Sequence, residues 1–258
     1  MSRSGHSVVR LWTSVIALLI AGVLAGCAHQ SPTSRIDVES LLNAIAIDDA
    51  GHLRGLVDSG QVSVDSRIPA PGYPDGAPLI TLAARDGALA TLRYLISAGA
   101  DVNAPTPVGE TALMLAAFFP SDERDAPLQQ RYEEAVRLLL DSGANVDNRP
   151  HHYTALSYAA YQNRLRIVRF LLARGAKVDG EVSGGIAYVN TPLMMAAMQG
   201  HYDTAVSLLR AGANPRIRVH HGHTAAELAA KYKHMHLAQV LQCAQSLRAN
   251  ETFEGRCR

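Results

Sequence analysis

The sequence predicts an all-α solenoid of about six helix–turn–helix repeats joined by β-turn fingers. Three observations carry that prediction. Apolar blocks recur with a period of about 33 residues, the size of a supersecondary unit that buries its face only against a neighbouring copy. Most copies close their second helical stretch at Gly-Ala, as at Gly99, Gly143, Gly175 and Gly212, where glycine reaches the left-handed backbone that stops a helix. The composition agrees: 48% of the 258 residues are hydrophobic but only 5% aromatic, with Ala and Leu abundant, which favours packed helices over a β-rich core.

The N-terminus reads as a targeting segment. Arg3 and Arg10 precede an apolar run from Leu11 to Leu24, which is short of the roughly twenty residues a bilayer-spanning helix needs. The run ends in Leu24-Ala25-Gly26-Cys27, which resembles the lipobox of bacterial lipoproteins. That resemblance implies a signal peptide over residues 1–26, acylation of Cys27, and a polar tether over residues 27–38. Several acyl chains at about 0.8 kcal/mol per buried methylene would anchor the chain firmly. Ala28, rather than Asp, follows the cysteine, so the expected location is the cell envelope, at the outer membrane facing the periplasm. The competing readings are an ordinary signal peptide and an uncleaved anchor.

The repeats follow over residues 39–247. Leu41 to Asp65, with Gly51-His52-Leu53-Arg54, is a weak copy that reads as an N-terminal cap repeat over 39–65. Further copies lie near 76–104, 109–148, 152–180, 190–216 and 222–246. Their first helices align without gaps: Thr111-Ala112-Leu113-Met114-Leu115-Ala116-Ala117, Thr154 to Ala160, Thr191-Pro192 to Ala197, and Thr224 to Ala230. Thr suits the N-cap, Pro192 the first helical position, and the Ala pair permits close helix approach. Pro78 to Ala84 is a copy without the Thr. Insertions fall at Ser66–Ala77, around Pro120–Pro127, where Pro127 should start a lengthened helix, and at Gly180–Asn190; these are the least generic segments. Residues 248–258 form a tail with little core of its own.

These motifs closely resemble ankyrin repeats, with their Thr-Pro-Leu-His, Leu-Ala-Ala, Gly-His and Gly-Ala-Asp-Val-Asn elements, and the chain as a whole resembles a bacterial periplasmic ankyrin-repeat lipoprotein. One departure is consistent: the histidine position of the first motif holds Thr81, Met114, Ser157, Met194 or Glu227. The hydrogen bonds that histidine makes between repeats must be missing or replaced. The resemblance implies a partner protein held on a concave surface of fingers and first helices. The variable positions there are Arg85, Asp86, Phe118, Phe119, Tyr153, Tyr161, Gln162, Tyr188, Met198, His220, His221, His223 and Tyr232, together with Glu110 at a finger. Two of the four Phe and four of the nine Tyr fall in this set, which suggests an aromatic binding stripe from Phe118 across Tyr161 to Tyr232. The local alternative is that Phe118 and Phe119 merely cover the adjoining insertion.

Other chemistries find little support. The near balance of 24 Lys plus Arg against 23 Asp plus Glu gives no nucleic-acid footprint. No Gly-x-Ser-x-Gly, phosphate-binding glycine loop or His-Glu-x-x-His is present, so an enzyme is not expected, nor any cofactor or small-molecule substrate. His220, His221 and His223 sit on a turn where side chains diverge, with His151 and His152 two repeats away; they read as solvated finger residues, not zinc ligands. Asp48-Asp49 reads as a solvated acidic pair at a helix end. With Cys27 acylated in an oxidising compartment, Cys243 and Cys257 are expected to pair and pin the tail, against the alternative of two free thiols. The expected function is that of an adaptor or scaffold tethered to the membrane by its lipid. An immunity protein that neutralises a toxin is the second reading, and support of a periplasmic oxidative-stress enzyme the third.

Overall fold

The computed structural model describes residues 37–118, 125–148, 153–183, 186–187, 189–219, 222–247 and 251–257. The expected signal peptide, Cys27 and most of the expected tether lie outside the described residues. Six helix pairs follow in order: α1 (Val38–Ala46) with α2 (Ala50–Asp58), α3 (Leu79–Arg85) with α4 (Leu89–Ser97), and α5 (Ala112–Phe118) with α6 (Ala126–Asp141). Then come α7 (Ala155–Tyr161) with α8 (Leu165–Ala173), α9 (Pro192–Gln199) with α10 (Tyr202–Arg210), α11 (Ala225–Lys231) with α12 (Met235–Ser246), and a short α13 (Phe253–Arg256). The chain is thus the expected all-α solenoid, in which first helices stack on first helices and second on second.

Local chemistry explains where the inner helices begin. Thr154, Thr191 and Thr224 each accept a hydrogen bond from the backbone N–H three residues on, at 3.3 Å. All three are buried, so each satisfies a donor that water cannot reach. Glu227 reciprocates by accepting from Thr224 N at 2.8 Å, completing a capping box in the last repeat. The Ala pairs Ala83–Ala84, Ala116–Ala117, Ala159–Ala160 and Ala196–Ala197 are wholly buried. With almost no side chain there, the inner helices pack more extensively on one another than the outer helices do.

The insertions acquire structure of their own. Ser66–Ala77 becomes a hairpin of β1 (Arg67–Ala70) and β2 (Tyr73–Pro78), turned by Pro71-Gly72 with Gly72 at φ 88°, a conformation that demands glycine. Around Pro120–Pro127, Asp125 caps the sixteen-residue α6 through Leu128 N at 2.9 Å, and Pro127 sits in its first turn. In the Gly180–Asn190 segment, β3 (Val182–Ser183) pairs antiparallel with β4 (Ile186–Ala187), which pairs parallel with β5 (Arg218–Val219) of the next finger.

The repeats are joined by a ladder of side-chain oxygens. Asp65 accepts from Asp101 N at 3.0 Å, Asn103 from Asn145 N at 2.8 Å, Asp147 from Lys177 N at 3.0 Å, and Asp179 from Asn214 N at 3.0 and 3.2 Å. Each acceptor occupies the same place in its repeat. At the other edge, Asp48 and Asn163 stand at φ 61° and 57°, where Gly87 and Gly200 stand in other copies. Asp and Asn tolerate this region better than most residues, and here both engage the next repeat. Asp48 accepts from Ala90 N at 3.0 Å and Thr91 N at 2.8 Å, and Asn163 accepts from the Thr204 hydroxyl at 2.8 Å. The acidic pair read as solvated is therefore structural, because Asp48 binds the start of α4 and Asp49 caps α2 through His52 N.

The ladder ends by reversing polarity. Arg216 occupies the acceptor position, donates to Leu247 O at 2.5 Å, and so caps the last outer helix, aided by Gln245 donating to Pro215 O at 2.9 Å. Beyond it, a disulfide joins Cys243 to Cys257, 14 residues apart, and Glu254 of α13 forms an ion pair with Arg210 of α10.

Three outcomes are expected. Asp147→Ala should cost roughly 1–3 kcal/mol, the range for an orphaned donor, whereas Asp147→Asn, which copies Asn103, should cost less than half as much; urea unfolding followed by helicity decides. Burial raises the Asp179 carboxyl above its ordinary range, against the opposing bond from Asn214 N. Stability tied to its neutral form is present at low pH and lost as pH rises through the folded pKa. Asp179→Asn should therefore stabilise the domain at neutral pH, and the gain should shrink in acid. Replacing both cysteines with Ser should cost about 3 kcal/mol for a loop of this length, with hydrogen-exchange protection lost first in α12 and α13.

Candidate partner-binding surface

The candidate surface begins at the C-terminal ends of the inner helices. The residue after each Ala pair is Arg85, Phe118, Tyr161, Met198 or Lys231. Three of these have their carbonyl held by the following repeat. The Tyr132 hydroxyl donates to Arg85 O at 2.9 Å, His201 Nε2 bonds Tyr161 O at 2.9 Å, and His234 Nε2 bonds Met198 O at 3.1 Å. A carbonyl can only accept, so each ring nitrogen carries the proton. The turn histidines thus supply the inter-repeat bonds that the first-helix histidine would have made, and Tyr132 does so where α6 is lengthened. The backbone is pinned at these positions through its carbonyl, whatever the side chain does.

An aromatic group gathers where the third and fourth repeats meet. The Phe118 ring lies 5.2 Å from Tyr158, edge-on, and 6.3 Å from Tyr161, nearly parallel; Tyr153 meets Tyr158 edge-on at 6.3 Å. All four side chains are half-buried. Beside them stands Glu110, on a finger closed by Thr106 N donating to Glu110 O at 2.7 Å and Glu110 N donating to Thr106 Oγ1 at 3.0 Å. Its carboxylate accepts from the Tyr158 hydroxyl at 3.3 Å and, from the hairpin, the Tyr73 hydroxyl at 2.5 Å. Burial, then the bond to Glu110, pushes Tyr73 well above the usual phenol range, and burial with the Glu110 charge raises Tyr158 to about 12. Both phenols stay protonated and serve as donors.

The remaining variable positions are distributed differently. Arg85 and Asp86 are committed to each other, Nε to Oδ1 at 2.7 Å and Nη2 to Oδ2 at 3.2 Å, and Arg85 also donates to Pro71 O at 3.3 Å. Met198 receives Asn190 Nδ2 at 3.3 Å, and Gln162 is half-buried beside Tyr161 in sequence. His223 Nδ1 lies 4.0 Å from the capping Glu227, while Tyr232, 46% exposed, stands at the end of α11, two repeats from the aromatic group. Phe119, Tyr188, His220 and His221 lie outside the described residues, as do His151 and His152.

Tyr73 and Tyr158 were not among the sequence candidates. Tyr158 occupies a framework position that holds buried Leu82, Leu115 and Leu228 in other repeats. Its one signal was a Tyr where the motif has Leu. Tyr73 lay in the insertion singled out as least generic, but nothing in its spacing placed it against Glu110.

Other ligand classes have little footing among the described residues. No group of three or more His, Cys, Asp or Glu side chains could hold a metal, and no helix is long and apolar enough to cross a membrane. A cleft of about 250 Å³ between α6 and α8 opens on the outer face, lined by Gln129, Glu133, Arg164 and Arg166 among others. The Arg166–Glu133 ion pair at 3.2 Å lies within it.

Comparison with known proteins agrees with the architecture. A family model described as ankyrin repeats (3 copies) matches residues 82–181, and one for a single ankyrin repeat matches residues 190–219, together half of the chain. The chain is 44% identical over 88 residues to palmitoyltransferase Hip14 of Drosophila melanogaster, covering 32% of this chain and 13% of that protein. It is 32% identical over 192 residues to the ankyrin repeat and KH domain-containing protein mask-1 of Caenorhabditis elegans, covering 68% of this chain and 7% of that one. With the mitochondrial disaggregase of Bos taurus it shares 30% identity over 159 residues, 61% of this chain and 22% of that protein. The chain therefore spans less than a quarter of the length of any of these three relatives, all of them eukaryotic. Six stacked helix pairs, threonine-capped inner helices and both family matches lead to one conclusion: the chain belongs to the ankyrin-repeat family.

Proposed function

We propose that the protein is a binding scaffold that holds one partner protein on its concave face and is tethered to the bacterial envelope through acylated Cys27. The observation that carries the first half is the aromatic and carboxylate cluster of Phe118, Tyr153, Tyr158, Tyr161 and Glu110, half-buried on a face whose backbone is fixed by neighbouring repeats. Rigid aromatic side chains on a preorganised frame lose little entropy on binding and commonly dominate interface energy. The tether rests on Leu24-Ala25-Gly26-Cys27 behind a basic and apolar leader. The transferase and disaggregase names of the relatives describe whole proteins of which this chain matches a small part, and no such activity is carried over.

The test is a crosslinked pull-down of the full chain from envelope extract. Tyr161→Ala should lower recovery of the principal partner by roughly thirtyfold, as for a hot spot of about 2 kcal/mol, with the helical content and melting transition retained. Equal recovery by a folded Tyr161→Ala protein refutes the assignment of the face. Cys27→Ser should separately release the protein from the membrane fraction and abolish incorporation of labelled palmitate.

A further inference from the structure

We propose that the concave cluster is a receptor for one arginine side chain presented by the partner, with the guanidinium on Glu110 and the aliphatic stem across the Phe118, Tyr158 and Tyr161 rings. This deepens, and rests on, the scaffold reading of the same face. The first observation is an unneutralised charge. Glu110 is half-buried, and its bonding partners are two neutral phenols and its own finger; no Lys, Arg or His among the described residues lies within ion-pair distance. The neighbouring cation, Arg85, is already engaged bidentately by Asp86.

The second observation is how the carboxylate is used. Oε2 accepts from Tyr73 and Oε1 from Tyr158, one bond to each oxygen. A carboxylate offers about four lone-pair sites, so one remains on each oxygen. Two parallel acceptors match the planar fork of a guanidinium, whereas an ammonium meets them only as a point charge. The phenols orient the carboxylate without cancelling its charge.

The third observation is the aromatic wall. Tyr158 spans the distance from Glu110 to the Phe118 ring, since its hydroxyl touches the carboxylate and its ring meets Phe118 at 5.2 Å. The rings thus lie beside the carboxylate, where the stem of a side chain anchored on Glu110 can rest against them. Arginine suits both halves, because its methylenes cover apolar surface and its guanidinium stacks on ring faces. A carboxylate-bearing partner would be repelled, and a purely apolar one would bury the Glu110 charge without a counter-charge.

The test uses the full chain and a defined probe, the peptide acetyl-Gly-Ser-Gly-Arg-Gly-Ser-Gly-amide, with versions carrying citrulline or lysine at the centre. Titrations follow the aromatic resonances by NMR at fixed ionic strength. The arginine peptide should shift the Tyr158 and Tyr161 ring signals saturably. The citrulline peptide, equal in shape but uncharged, should bind at least tenfold more weakly, and the lysine peptide at least threefold more weakly. Glu110→Gln should weaken arginine binding at least fivefold, and Tyr161→Leu, which keeps apolar bulk but removes the ring, at least threefold. Equal binding of the arginine and citrulline peptides, equal binding of the arginine and lysine peptides, or no saturable shift would each overturn the proposal. The envelope pull-down separates it from the parent reading. A partner captured equally by the wild type and Glu110→Gln sinks the arginine proposal and leaves the scaffold standing. Failure of the wild type to capture any partner sinks the scaffold reading itself, whatever the peptides do.

Discussion

Everything in this molecule depends on the joint between one helix pair and the next. A single pair of short helices leaves half of its apolar surface bare, so the inner helices gain their burial only by stacking. Stacking brings loop backbone against loop backbone and would strand N–H groups between repeats. Asp65, Asn103, Asp147 and Asp179 answer that need, one at each successive joint, by accepting from the first loop residues of the next copy. Because each acceptor also fixes which residue it meets, the ladder sets register as well as contact. At the joint between the fifth and sixth pairs this place holds Arg216, which donates to Leu247 O at the end of α12 instead of accepting. The disulfide and the Arg210–Glu254 pair then tie the terminal turn to α12 and α10.

The same joints create the surface. When Tyr132, His201 or His234 bonds the carbonyl at the end of the preceding inner helix, it satisfies an exposed helix terminus and holds that residue's backbone in place. The joint at that position is then made through the main chain, so it does not dictate which side chain stands there. Arg85, Tyr161 and Met198 are three such positions, and their diversity contrasts with the uniform Ala pairs just before them. A framework bonded through its main chain lets one fold carry many different faces, which is why membership of the family identifies the scaffold and not the partner.

The repeat architecture was legible because it is written in period, in Thr caps and in Gly stops, all local features. The disposition of Phe118, Tyr153 and Tyr161 on one face followed from counting along a known frame. What could not be read was anything decided between segments far apart in the chain. Tyr73 and Glu110 are separated by 37 residues, and Tyr158 and Glu110 by 48. No pattern within one repeat announces that a hairpin tyrosine and a helix tyrosine converge on one carboxylate. Asp48 failed for the same reason. Seen alone it is an acid at a helix end, and its role appears only when α4, some forty residues on, delivers Ala90 N and Thr91 N to it.

The convergence on Glu110 also ties binding to folding. Tyr73 belongs to the hairpin before the second helix pair, Glu110 to the finger before the third, and Tyr158 to the inner helix of the fourth. The site exists only while the two intervening joints hold, and in a solenoid each joint contributes its own increment of stability. A ligand that contacts all three elements stabilises both joints by mass action, increasingly as its concentration exceeds its Kd. It should have little effect on the distant Asp179–Asn214 joint or the disulfide-bound end. The hairpin therefore has two roles that cannot be separated: it covers the inner helices at the N-terminal side of the stack, and it supplies one of the two hydroxyls that orient the carboxylate. The insertion that interrupts the repeat is thus also the element that helps build its most individual surface.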